Sequence, residues 1–182
     1  MGGANGSPGE EMVEVVDGTG AVVGVATRAE VRAGNLRHRC TYIAVLDGHG
    51  RLVVHQRADW KDVYPGYWDL CFGGVCGVGE EWAESAAREL AEEAGITGAE
   101  LRELGPVAYD ADDGHLVGRA YLARWSGPVT CPDGEVVAVD RIPLADLSDW
   151  LAGRSVCPDS AAVVAPLLLA ALGPGDLAGR PV

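Results

Sequence analysis

Residues 88 to 93 read Arg-Glu-Leu-Ala-Glu-Glu, so Glu89, Glu92 and Glu93 place three carboxylates within five positions. The stretch from about Glu81 to Ala94 lacks Pro and Gly and is rich in Ala and Glu, which predicts a helix. At about 100° per residue, Glu93 falls about 40° to one side of Glu89 and Glu92 about 60° to the other. The three share one helix edge. Ala83, Ala86, Ala87, Leu90 and Ala94 form the adjoining stripe, small enough to let the helix sit close on a sheet. Two local rules are broken here. Glu89 and Glu93 are like charges at i,i+4, which repel. The cluster also lies in the last turn, where the helix dipole disfavours anions. The residues allow two readings, a solvated face or a cage for a hard divalent cation. The preceding loop favours the cage. Gly73 and Gly74 let backbone approach a ligand closely, and Mg²⁺ takes carboxylate and carbonyl oxygens alongside water and substrate phosphate.

Such a cage needs a frame. Residues 12 to 25 predict two short strands around Asp17-Gly18-Thr19-Gly20, and residues 41 to 57 two more around Asp47-Gly48-His49-Gly50. A short helix is expected within residues 27 to 37, a polar loop over 58 to 67 and a short strand from Trp68 to Cys71. Gly95 suits a helix C-cap. Further strands are expected over residues 115 to 125 and 135 to 142. A final helix should run from about Asp159 to Leu172, with Asp159 or Ser160 as N-cap and Pro166 as a potential kink. Strands interleaved with helices predict an α/β (α+β) fold, a mixed sheet flanked by helices with an N-terminal β-hairpin.

Composition narrows the function. The chain has 182 residues, 48% of them hydrophobic, enough for one domain with a substantial core. We expect a single domain over 11–174, a disordered tail over 1–10 and a C-terminal tail over 175–182. No apolar run approaches the roughly 20 residues that span a bilayer, so no membrane partner is expected. The net charge of −13 repels a nucleic-acid backbone, so no nucleic-acid partner is expected either. Five scattered cysteines form no CxxC pair, which argues against structural zinc and for free thiols in a reducing cytoplasm.

With Gly74 and Glu80 added, the acidic helix resembles the signature of the Nudix hydrolase superfamily. The family pattern is Gly, five residues, Glu, seven residues, then Arg-Glu-apolar-x-Glu-Glu-x-Gly-apolar. Here Gly74, Glu80 and Arg88-Glu89-Leu90-Ala91-Glu92-Glu93-Ala94-Gly95-Ile96 match every specified position. The order of the flanking elements extends the likeness to about residues 10 to 172. The resemblance implies an α/β/α sandwich and Mg²⁺ or Mn²⁺ held by Glu89, Glu92 and Glu93, with help from the carbonyl of Gly73 or Gly74. It implies that Arg88 orients the carboxylates and pairs with Glu80. It also implies hydrolysis, by metal-activated water, of a diphosphate bond in a nucleoside diphosphate linked to another group or a related small diphosphate. Glu92 or Glu93 would take the proton from water, and Glu135 is a further candidate for base or ligand.

Upstream residues resemble the isopentenyl-diphosphate-isomerase branch of the family. His38 precedes the first central strand, Arg57 follows the second, and Pro65-Gly66-Tyr67-Trp68 matches its Pro-Gly-x-Trp turn. The isomerase Cys and His positions are held by Gly73 and Val75, and Cys71 lies two residues early, about 7 Å away along a strand. Hydrolysis is therefore the expected activity, with isomerisation or non-catalytic nucleotide sensing as alternatives. Arg57, Lys61, Trp68 and His38 are the substrate-contact candidates, the substrate is a small diphosphate, and the N-terminal hairpin could support a homodimer.

Overall fold

The structure, a computed structural model, describes residues 8–171. The C-terminal tail and most of the N-terminal one lie outside the described residues. Pro8–Glu10 forms a 3₁₀ turn rather than tail. Each apolar run gathers into a strand or a helix face. β1 (Met12–Val16) and β2 (Val22–Thr27) form the N-terminal hairpin. α1 (Arg28–Ala33) follows, closed by a capping box in which the Thr27 hydroxyl accepts from the Glu30 N–H and the Glu30 carboxylate accepts from the Thr27 N–H. β3 (His38–Leu46) and β4 (Leu52–Arg57) form the second hairpin, and β5 is only Trp68–Asp69. The acidic helix is α2 (Trp82–Ala94). β6 (Leu101–Ala111), β7 (Gly114–Arg124) and β8 (Val136–Ile142) are followed by α3 (Leu147–Ala152) and α4 (Pro158–Ala171).

The sheet is mixed because β3 pairs in parallel with β7 along its full length, while the other ladders are antiparallel. On its other edge β3 has three successive partners. It meets β1 at His38 and β4 only at Val45 and Leu46. Between them β3 bonds to residues 72 to 76, through Ile43 to Phe72, Thr41 to Gly74 and Arg39 to Cys76. β3 and β4 thus splay, and the glycine loop fills the split. One sheet face packs Tyr42, Leu46 and Leu52 against Trp150 of α3 and Val164 and Leu168 of α4. The other packs Ile43, Val45 and Phe72 against Ala86, Leu90 and Ala94 of α2. An α/β/α sandwich results.

Three local readings change. β6 was not anticipated, because Gly105 and Pro106 punctuate it. Gly105 sits at a register shift, and β6 pairs only with β7, an edge position where a missing N–H is tolerated. α4 starts at Pro158, whose fixed φ suits a first helical position. Asp159 is therefore inside the first turn and not its cap. On α2, Ala83 and Ala87 are exposed, while Ser85 and Glu93 are buried with Ala86, Leu90 and Ala94. The packed face is rotated toward the carboxylates, because the glycine loop lies there and supplies a backbone partner where apolar side chains would otherwise be needed.

His55 is 1% exposed and stacks on Phe72 with ring centroids 4.5 Å apart, and its Nδ1 has no partner. Burial pushes its pKa down to about 4. The unfolded chain therefore binds a proton below about pH 6.5 that the folded chain takes up only near pH 4. Stability falls as pH drops through that window. We expect His55→Phe to lose less stability than the parent between pH 7 and pH 4.5, by roughly 2–3 kcal/mol in denaturant titrations. Equal losses would show that His55 does not carry this slope.

Candidate functional site

The last turns of α2 face the glycine loop. Gly73 adopts φ 146°, and a Cβ there would fall 2.0 Å from the Thr41 carbonyl oxygen, so no other residue lets the loop lie on β3. Its N–H donates to Glu93 Oε2 at 3.0 Å. Glu93 is 7% exposed, and burial raises its pKa to about 8. Gly74 is needed for space, since a Cβ there would stand 2.7 Å from Glu89 Oε2. Burial raises the Glu89 pKa as well, against the pull of Arg88. Glu92 is the exposed member. Gly95 ends the helix at φ 67°, donating to the Ala91 carbonyl at 3.1 Å.

Arg88 ties the group together. Its Nε and Nη2 donate to the two Glu80 oxygens at 2.8 and 2.9 Å. Its Nη1 donates to Glu89 Oε1 at 2.7 Å and Glu92 Oε2 at 3.0 Å, and Nη2 also reaches the Val75 carbonyl at 3.2 Å. This bonding lowers the Glu80 pKa to about 2 and raises that of Arg88. Glu80 also accepts the Gly77 N–H at 2.8 Å. Behind Glu80 stands a pair that the sequence did not reveal. Arg39 donates to Glu14 at 2.8 Å and to the Glu80 carbonyl at 3.0 Å, its guanidinium 4.0 Å from the Trp82 ring. Glu14 in turn accepts the Gly79 N–H at 2.9 Å. Each is an ordinary charged residue in a strand, and only the register of β1 against β3 gives them this role.

Glu80, Arg88, Glu89, Glu92 and Glu93 line, with the glycine loop, a cleft of about 970 Å³. Arg28, Arg32, Arg57 and Lys61 also line it, with Arg28 paired to Glu11 and Arg32 to Asp62. Arg57 and Lys61 were expected here. Arg57 donates to the Val63 carbonyl at 3.1 and 2.9 Å, which holds the 58–67 loop, and Lys61 pairs with Glu135. Arg28 and Arg32 were not, since no motif marks α1. His38 lines the cleft with its Nδ1 2.9 Å from the Leu36 carbonyl oxygen, and burial lowers its pKa. Trp68 does not line it. Its ring packs on the core, edge-on to Trp150 with centroids 5.9 Å apart.

The arrangement offers hard oxygen donors from one helix and cationic groups in the same cleft, a setting for an anionic ligand bridged by a divalent ion. Arg88 lies between the carboxylates, and among the described residues no three acidic, His or Cys side chains converge on one point. The oxygen chemistry of Glu89, Glu92 and Glu93 fits Mg²⁺ or Mn²⁺, and among the described residues one amide, the Gly73 N–H, donates to the buried Glu93 carboxylate.

The NUDIX domain model matches residues 36–159. The chain belongs to the Nudix family. It is 35% identical over 175 residues to an uncharacterized Nudix hydrolase of Streptomyces coelicolor, SCO1686, covering 94% of this chain and 97% of that one. The Nudix hydrolase YfcD of Escherichia coli K12, also uncharacterized, is 37% identical over 129 residues, 71% of this chain and 72% of that one. Among solved structures, DR0079 of Deinococcus radiodurans superposes with a TM-score of 0.74 at 20% identity, covering 88% of this chain and 98% of that one. The NUDIX domain of Shewanella oneidensis NrtR complexed with ADP ribose superposes with a TM-score of 0.62 at 19% identity, covering 81% and 99%. Both share the fold. The chain is thus a Nudix hydrolase acting on diphosphate bonds, in a family that generally uses divalent metals such as Mg²⁺ or Mn²⁺.

Gly74→Ala tests the close approach at the site. The Glu89 carboxylate is the mobile end of a side chain, so the fold should survive, with a melting temperature close to the parent's. Displacing that carboxylate should lower diphosphate hydrolysis about 10- to 100-fold. Unchanged turnover would show that the approach is not needed.

Proposed function

We propose that this protein hydrolyses a diphosphate bond in a nucleoside diphosphate joined to another group, or in a related small diphosphate, with Mg²⁺ or Mn²⁺. The observation that carries the proposal is the Arg88-centred carboxylate edge, which shares one cleft with four further basic side chains. Glu89, Glu92 and Glu93 would hold the metal, which when bound neutralises phosphate oxygens and lowers the pKa of water. Arg88 positions Glu89 and Glu92, and Glu80 anchors Arg88. Glu92 or Glu93 accepts the proton of the attacking water. Arg28, Arg32, Arg57 and Lys61 bind and orient the phosphates. Glu135, held by Lys61 at the cleft wall, is a candidate second base that must leave that pair to act.

The isomerase reading is weakened further at Cys71, the thiol nearest in sequence to the position that Gly73 holds. Cys71 is buried, its thiol lies 3.6 Å from Asp69 Oδ1, and burial raises its pKa well above the usual value, so it stays protonated. A sensing role has no specific support, since all the carboxylates of the signature are retained. Exposed Val22, Val23 and Val25 on the outer strand of the N-terminal hairpin suit a homodimer contact. No described helix is long and apolar enough to cross a membrane, and a cytoplasmic location completes the proposal.

A panel of nucleoside diphosphate derivatives tests it. Turnover should require Mg²⁺ or Mn²⁺, stop on chelation and fall at least about 100-fold in Glu93→Gln. Turnover that is metal-independent, or equal in Glu93→Gln, contradicts the proposal.

A further inference from the structure

Beside the glycine loop a recess of about 100 Å³ opens off the main cleft, sharing Arg57, Tyr64, Gly73, Gly74 and Asp159 with it. Its polar lining is unusual. Asp69 is 9% exposed, and its Oδ1 accepts the Cys71 N–H at 3.3 Å and the thiol at 3.6 Å. Asp159 Oδ2 accepts the Tyr42 hydroxyl at 3.1 Å and the Ser160 N–H also favours the carboxylate, but among the described residues Asp159 Oδ1 is buried without a hydrogen-bond partner. Thr41, 1% exposed, also lines the recess, and its hydroxyl has no partner either. Among the described residues neither aspartate makes an ion pair. The Arg57 guanidinium also lines the recess and spends its Nε and Nη2 on the Val63 carbonyl. Burial, and then the charge of Asp69, raises the Asp159 pKa. Burial likewise raises the pKa of Cys71 and Cys157, so the thiols here are neutral.

The recess thus holds two carboxylates without an ion pair and two buried oxygens, on Asp159 and Thr41, without a partner among the described residues. Buried polar atoms are normally paired, and an unpaired buried carboxylate oxygen calls for a donor from outside the chain. A neutral hydroxyl brings one donor. A primary ammonium brings three and a compensating charge. At about 30 Å³ for each water-sized group, the recess holds about three such groups, so a short arm fits and a sugar ring does not. The main cleft beside it gathers arginines and a lysine suited to phosphate.

We propose that this recess is a specificity site for a primary ammonium on a two-carbon arm, and that it selects diphosphate substrates whose leaving group ends in such an amine. The placement of the arm on a diphosphate rests on the hydrolase reading above. The preference for an ammonium does not.

Three nucleoside diphosphate esters of similar size test this, carrying 2-aminoethyl, 2-hydroxyethyl and propyl arms. Calorimetric binding with Ca²⁺ reads the recess, and turnover with Mg²⁺ reads the chemistry. The aminoethyl ester should bind about 10- to 100-fold more tightly than the propyl ester, the span of a charge-assisted hydrogen bond. The hydroxyethyl ester should fall between them. Asp159→Asn should remove most of that preference and leave propyl binding close to the parent's, with Asp69→Asn as the second variant. The parent series decides alone if neither variant folds. Equal or tighter binding of the propyl ester overturns the proposal, as does an undiminished preference in Asp159→Asn. Absence of turnover on all three esters counts against the hydrolase reading, while the binding order still decides the recess.

Discussion

One guanidinium holds this site together. Glu80, Glu89 and Glu92 would repel each other if brought this close, and the end of a helix is a poor place for anions. Arg88 offsets that repulsion with a two-pronged bond to Glu80 and single bonds to Glu89 and Glu92. A lysine could supply the charge but not the planar fork. Glu93 stands outside the fork and depends on the backbone N–H of Gly73, which ties the fourth carboxylate to the geometry of the loop. The site is thus assembled from the helix, a loop and one multidentate cation.

The sheet explains why loop and helix meet there. β3 shares only two paired positions with β4 before they separate. Residues 72 to 76 enter the gap and bond to β3 in place of a strand. α2 then packs over the gap through Ala86, Leu90 and Ala94, whose small or flexible side chains allow close contact. Arg39 and Glu14 brace the far end of the loop through the Glu80 carbonyl and the Gly79 N–H. The basic side chains of the cleft come from separate elements, α1, the end of β4 and the loop after it. A chain of net charge −13 thus brings four cations into the cleft that holds its carboxylate cluster.

The centre of the site was more legible in the sequence than its walls. The signature residues lie within 23 positions, so helical periodicity and exact spacing expose their shared edge. Periodicity still misjudged Glu93, placing it on the edge of the packed face when it lies within it, because an amide donor from a glycine loop cannot be read from a helical wheel. Arg28, Arg32, Glu14 and Arg39 are brought in by tertiary register and carry no local mark. Trp68 was expected to contact substrate on its neighbourhood alone, but a half-buried tryptophan beside Trp150 gains more from packing. β6 was hidden by Gly105 and Pro106, which an edge strand tolerates.

The most direct measurement is Mn²⁺ binding to metal-free protein, followed by calorimetry, with Arg88→Lys set beside Glu84→Gln, a change on the exposed first turn of α2. If the guanidinium fork places the carboxylates, Arg88→Lys should keep the fold and bind Mn²⁺ about 10- to 100-fold more weakly, the usual penalty for losing a group that orients metal ligands. Glu84→Gln should bind as the parent does. Parent-like affinity in Arg88→Lys would contradict the account.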